Sequence, residues 1–120
     1  PQQPEVTLRT GDIVDNTTYG PDVKGDWDNT DLTDLTPRNP INNSTVTYPS
    51  SSRIDRVYYT DSAATIPTSF VFNTLTMTTA QRTAAGVQTR DTTDASDHLP
   101  VVFDLRLPLV PVELSEFAAE

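Results

Sequence analysis

Hydrophobic positions along this chain come in short bursts separated by polar stretches. The clearest burst is Ile54–Thr60, where Ile54, Val57, Tyr58 and Tyr59 are β-formers in a compact run and predict a strand. Pro100–Leu107 predicts another, because Val101, Phe103, Leu105 and Leu107 alternate with other residues at period two and share one face. Between them, Ser69–Met77 carries Phe70 and Phe72 in a strand-like pattern. Thr78–Ala85 has helix-tolerant residues closed by Gly86, a helix with a stop signal. Near the start, Val6 and Leu8 alternate with polar neighbours and predict a short strand running into Gly11-Asp12. The expected core is Ile54, Val57, Tyr59, Phe70, Phe72, Val101, Phe103 and Leu105.

The intervening chain is polar. Residues 1–5 read as a tail, and Asp15–Ser52 as a long region rich in Asn, Asp, Thr and Pro. A loop that long inside a compact domain is usually functional or poorly ordered. Its one structured patch is Asp31–Thr36, ending at Pro37. Pro108 and Pro111 break regular structure after the last strand. The organisation is thus a tail and polar loop over 1–30, a folded unit over 31–107 and a proline-rich linker over 108–120.

Composition narrows the function classes. At 120 residues the chain is one domain or a piece of one, and 35% apolar residues give a thin core. With no cysteine, disulfides, zinc–thiolate sites and thiol nucleophiles are excluded. No run approaches the ~18 apolar residues of a membrane span. The net charge of −9 comes without the basic stripe usual in nucleic-acid binders. Such an acidic balance suits solubility, or a site that gathers divalent cations. The chain opens at Pro1 with no starting Met or signal peptide, which reads as a processed or excised piece. There is no Gly-X-Ser-X-Gly turn and no glycine-rich phosphate loop. Asn-X-Ser/Thr sequons at Asn16, Asn42 and Asn43 matter only in a eukaryotic secretory setting.

Two short motifs carry the chemistry. In Ala95-Ser96-Asp97-His98-Leu99-Pro100-Val101-Val102 an Asp-His pair stands where a polar turn enters an apolar strand. His98 is the one histidine of the chain, and histidine titrates near neutrality. In Ser52-Arg53-Ile54-Asp55-Arg56-Val57 a carboxylate heads another strand. If the two strands are neighbours, Asp55 can accept a hydrogen bond from one nitrogen of His98. That would orient the ring for acid–base work or phosphate contact. The competing reading makes Asp55 a strand-capping residue paired with Arg53 or Arg56.

Together, Arg53-Ile54-Asp55 and Ser96-Asp97-His98-Leu99-Pro100-Val101 resemble the closing signature of the endonuclease/exonuclease/phosphatase superfamily, the deoxyribonuclease I type. The resemblance takes in Tyr48-Pro49 and the segment 72–86, and covers roughly residues 31–107. It implies an α/β fold: the C-terminal half of a four-layered α/β sandwich, this part mainly antiparallel β with long loops. It also implies a metal-dependent phosphodiesterase or nuclease using Mg²⁺, or Mn²⁺ or Ca²⁺ in its place, on a phosphate ester, nucleic acid among the candidates. Asp55 would then pair with the catalytic His98, Asp97 would hold the cation or its water, and Arg53 would contact the phosphate. The family position after Asp55 is usually aromatic; here it is Arg56.

The family's Gly-Asp-aromatic-Asn motif has two claimants. Gly25-Asp26-Trp27-Asp28 keeps the local pattern with Asp in place of Asn, which nominates Asp26 and Asp28 as catalytic. Gly11-Asp12-Ile13-Val14 follows an expected strand, but Val14 cannot act as a ligand. The Asn and Glu that hold the metal lie in the family's N-terminal half, which is expected as a missing partner, so the fragment should be inactive alone. Pro111-Val112-Glu113-Leu114 followed by Phe117 is similar to linkers before the sorting modules of secreted bacterial proteins, and implies an extracellular setting. The alternative function is a non-catalytic extracellular structural or assembly module built on the same half-fold.

Overall fold

In the computed structural model of the chain, residues 3–48 and 52–108 are described. They run as α1 (Gln3–Thr10), α2 (Asn16–Tyr19), β1 (Thr33–Leu35), β2 (Val57–Tyr59), β3 (Thr65–Val71), a 3₁₀ turn (Thr74–Thr76), α3 (Thr79–Ala85), α4 (Asp91–Ala95) and β4 (Val101–Arg106). The architecture is mixed, with helices and antiparallel strands in two small sheets. Within 31–107 the strand residues outnumber the helical ones, while α1 and α2 add helix ahead of that unit. The linker expected at 108–120 falls, but for Pro108, outside the described residues.

The strands of the site region form where the hydrophobic pattern put them, though shorter. The run at 54–60 condenses to β2, which pairs antiparallel with β1 through Thr33↔Tyr59 and Leu35↔Val57. The strand expected at 69–77 lies earlier in the chain, as β3. It pairs with β4 through Ser69↔Phe103 and Val71↔Val101, with an irregularity between Thr65 and Thr68. Pro67 cannot donate to a ladder, which explains a break at that point.

The short strand expected around Val6 and Leu8 is instead helix α1. Glu5 in its first turn and Arg9 in its last complement the helix dipole. The Arg9 carbonyl also accepts the Leu32 N–H at 2.8 Å, which fixes the helix against the chain entering β1. Two alternating apolar residues are too few to distinguish the periods of strand and helix.

Helix α3 follows the predicted span closely. The Thr78 hydroxyl accepts the Gln81 N–H at 3.2 Å and the Gln81 side chain accepts the Thr78 N–H at 2.8 Å, a reciprocal cap. Gly86 ends the helix at φ 68°, ψ 27°, a left-handed conformation that glycine adopts at least cost. Beyond it, the buried hydroxyls of Thr74 and Thr92 meet at 2.9 Å and lock α4 to the 3₁₀ turn. That lock positions the segment leading to His98.

The core differs from the expected one. Among the described residues the buried hydrophobics are Ala64 and Val71, whereas Ile54 is 51% exposed, Phe103 39% and Leu105 52%. Val57, Tyr59, Phe70, Phe72 and Val101 are only half-buried. Burial along β4 does not alternate, and among the described residues no layer covers the Phe103–Leu105 face of its two-stranded sheet. Small polar groups fill the interior instead: Asn39, Thr47, Thr74 and Thr92 are all buried. The Cα radius of gyration is 20.1 Å, well above the roughly 14 Å of a compact domain of this length.

Candidate functional site

Asp55 lies just before β2 and His98 just before β4, and the two meet. The His98 Nδ1 is 2.9 Å from both carboxylate oxygens of Asp55. Thr47, fully buried, brings these segments together. Its hydroxyl accepts the N–H of Ile54 at 3.3 Å and of Asp55 at 3.2 Å, while its carbonyl accepts the Leu99 N–H at 2.7 Å. The Ser96 hydroxyl accepts the His98 N–H at 3.0 Å and shapes the turn. The Tyr48 ring lies against the imidazole, with centroids 5.2 Å apart and planes tilted by 59°.

The electrostatics fix the tautomer. The Thr47 hydroxyl, and after it His98, hold the Asp55 carboxyl below the usual carboxylate range against the opposing effect of its partial burial. An ionised carboxylate can only accept, so Nδ1 carries a proton, and in the neutral ring Nε2 presents its lone pair. Among the described residues Nε2 has no hydrogen-bond partner, and 41% of the His98 side chain is exposed. The arrangement can therefore take or give a proton at Nε2, with Asp55 stabilising the imidazolium that results.

The other sequence-nominated residues lie apart from this pair. Asp97 is exposed, and among the described residues nothing engages its carboxylate. Arg53 reaches Asp34 rather than Asp55: its guanidinium donates to both Asp34 oxygens and, at 2.8 Å, to the Leu35 carbonyl. The strand-cap reading, which paired Asp55 with Arg53 or Arg56, is not what forms. Asp26 is buried and accepts from the hydroxyls of Thr60 and Ser62, beyond the far end of β2 from Asp55. These bonds, with Thr60 the stronger influence, lower its pKa, while its Oδ2 has no hydrogen-bond partner among the described residues. Asp28 accepts the Thr30 N–H at 3.1 Å and hydroxyl at 2.7 Å, a local turn. Neither Gly25-Asp26 nor Gly11-Asp12 supplies a group to the Asp55–His98 pair.

The donors among the described residues do not fit a divalent cation. Among the described residues no three His, Asp or Glu side chains converge as ligands. Mg²⁺ requires near-octahedral oxygen ligation, and Asp97 alone cannot supply it. No helix among the described residues is long and apolar enough to cross a membrane.

Sequence reasoning found Asp55 and His98 but missed Thr47 and Tyr48 as site-forming residues. Tyr48 stands beside the motif without a feature marking it as a ring partner. Thr47 is one threonine among many, and only its burial reveals its part. No protein-family model matches this chain, and no curated protein or solved structure matches it either.

Proposed function

We propose that this chain carries the histidine–aspartate half of a phosphodiester-hydrolysing site. The observation that carries the reading is the Asp55–His98 contact at 2.9 Å, formed between the two motifs that resemble the endonuclease/exonuclease/phosphatase signature. In this reading Nε2 of His98 contacts the phosphate or exchanges a proton there, and Asp55 orients the ring. Such acid–base help is worth about 10²–10⁴-fold. A divalent cation of the Mg²⁺ type would have to be held by groups other than those described, so no step is assigned to it. The four-layered sandwich accounts for the uncovered face of β4, since Phe103 and Leu105 would meet a layer from the N-terminal half. The linker-like segment around Pro111–Phe117 supports an extracellular setting.

The second reading is a non-catalytic extracellular module, and the lack of a converging cation donor set among the described residues favours it. The two part in one experiment. Residues 1–120 and the full-length gene product are assayed against DNA, RNA and a chromogenic phosphodiester, with and without Mg²⁺ or Mn²⁺. The first reading expects negligible turnover from residues 1–120 and metal-dependent turnover from the full-length product, reduced at least about 100-fold by His98→Ala. Full-length turnover indifferent to that substitution removes His98 from the chemistry. Robust turnover by residues 1–120, abolished by it, makes the chain a complete enzyme.

A further inference from the structure

Two of the chain's 8 cationic side chains, Arg53 and Arg56, converge on Asp34 beside an open groove of about 620 Å³ between α1 and β2. Arg56 Nη1 lies 3.1 Å from Asp34 Oδ2 and 3.6 Å from Glu5 Oε1. The Tyr58 hydroxyl donates to that same Glu5 oxygen at 2.6 Å. The Glu5 carboxylate therefore sits as an anion held by a guanidinium and a phenol. We propose that the Arg56–Tyr58 face is a phosphate-binding site, and that Glu5 of α1 occupies it as an internal stand-in for the ligand.

The charges favour exchange. With Glu5 in place, two guanidiniums face two carboxylates and the cluster is neutral. With Glu5 displaced, Asp34 alone opposes them, and the groove carries one net positive charge in an otherwise acidic chain. A phosphate oxygen can take over the Tyr58 hydroxyl and the Arg56 fork, a pairing suited to guanidinium geometry. The Tyr58 pKa is raised, by burial first and Glu5 second, so the phenol remains a donor.

The mechanical means of displacement is also present. The C-terminal end of α1 is fixed by the Leu32 N–H on the Arg9 carbonyl, and Gly11 follows at φ 71°. Its N-terminal end meets β2 through the Glu5 carboxylate, while Leu8 is 58% exposed and contributes little burial. Swinging Glu5 out forfeits two polar contacts, one of which is a partly exposed ion pair of modest strength. The inference is independent of the catalytic reading, since it concerns binding at Arg56 and Tyr58 and not turnover at His98.

The test is calorimetric titration of inorganic phosphate into the full chain and into E5Q, R56Q and E5Q/R56Q, at ionic strength matched with sodium chloride. E5Q should bind roughly fivefold more tightly than wild type, the effect of one competing partly exposed ion pair removed. R56Q should erase that gain. Dimethyl phosphate run in parallel distinguishes diester from monoester recognition, and a gain for either supports the site. Equal affinities for wild type and E5Q, or a gain that survives R56Q, overturn it. If E5Q does not fold, the wild-type NMR resonances of the Glu5 amide and the Tyr58 ring decide. Phosphate should shift both relative to chloride at matched ionic strength, and unmoved resonances at the highest soluble phosphate overturn the proposal.

Discussion

The Thr47 carbonyl accepts the Leu99 N–H at 2.7 Å, and that bond ties the segment bearing His98 to the segment bearing Asp55. The Thr47 hydroxyl completes the link on the Asp55 side through two backbone N–H groups. Replacing Thr47 by Val keeps the shape but takes the acceptor from those two part-buried donors. The expected destabilisation is about 1–3 kcal/mol, the cost of an unsatisfied buried polar group. Thr47→Ser retains the acceptor and should cost less. Urea denaturation of both variants, with the His98 imidazole resonances followed by NMR, checks the order and shows whether the pair loosens.

The Asp55 carboxyl titrates below its ordinary range, chiefly through the Thr47 hydroxyl and then His98. A depressed folded-state pKa means the folded form binds its proton less readily than the unfolded chain, whose Asp titrates near about 3.9. The stabilisation is thus present above that value and is lost as pH falls through the lower folded-state value. With 37% of the Asp55 side chain exposed, solvent screens the effect and keeps it modest. Asp55→Asn should flatten this part of the urea-midpoint profile between roughly pH 2 and pH 5. An unaltered acid slope in that variant would place the titration on other carboxylates.

The Asp55–His98 pairing was legible because both residues stand at polar-to-apolar boundaries, where a side chain heading a strand reaches the sheet edge. Helix α3 was legible through Gly86, whose left-handed conformation matches its place at the end of the run. Burial was not. Alternation along β4 states that Phe103 and Leu105 share a face, but not whether any layer covers it. Helix α1 was misread because two alternating residues satisfy both periods, and the Arg9–Leu32 bond that fixes it is a tertiary fact. Arg53 shows the same limit: its motif points to phosphate, while the guanidinium bonds an aspartate 19 residues away in sequence.

Exposure predicts an inversion of the usual size rule for core truncations. Val71 is 0% exposed and Phe103 is 39% exposed. Val71→Ala should cost about 2 kcal/mol, toward the low end of buried truncations to alanine. Phe103→Ala removes more atoms but should cost only about 1 kcal/mol, well below the roughly 3–5 kcal/mol of a buried phenylalanine. Chemical denaturation of the two variants decides it. A Phe103→Ala cost of about 3 kcal/mol or more would mean that its face is covered in solution, by a second copy or by chain outside the described residues.

Gly11 and Gly86 offer a matched test of how closely α1 is packed. Both adopt left-handed backbone, at φ 71° and φ 68°. Alanine at either position therefore incurs a similar conformational cost, roughly 1–2 kcal/mol. Their surroundings differ. A Cβ on Gly86 would meet nothing within 4 Å, whereas one on Gly11 would lie 2.0 Å from the Val23 carbonyl oxygen. The Val23 N–H donates to the Gly11 carbonyl at 3.1 Å, so the two segments cannot separate without losing that bond. Gly11→Ala should thus cost a further roughly 1–3 kcal/mol beyond Gly86→Ala, the range for forced overpacking. This also gives the glycine of Gly11-Asp12 a structural cause, close backbone approach, separate from any catalytic motif. Urea unfolding of the two variants measures the difference directly. Equal costs would show that Gly11 and the Val23 segment do not stand in this contact in solution.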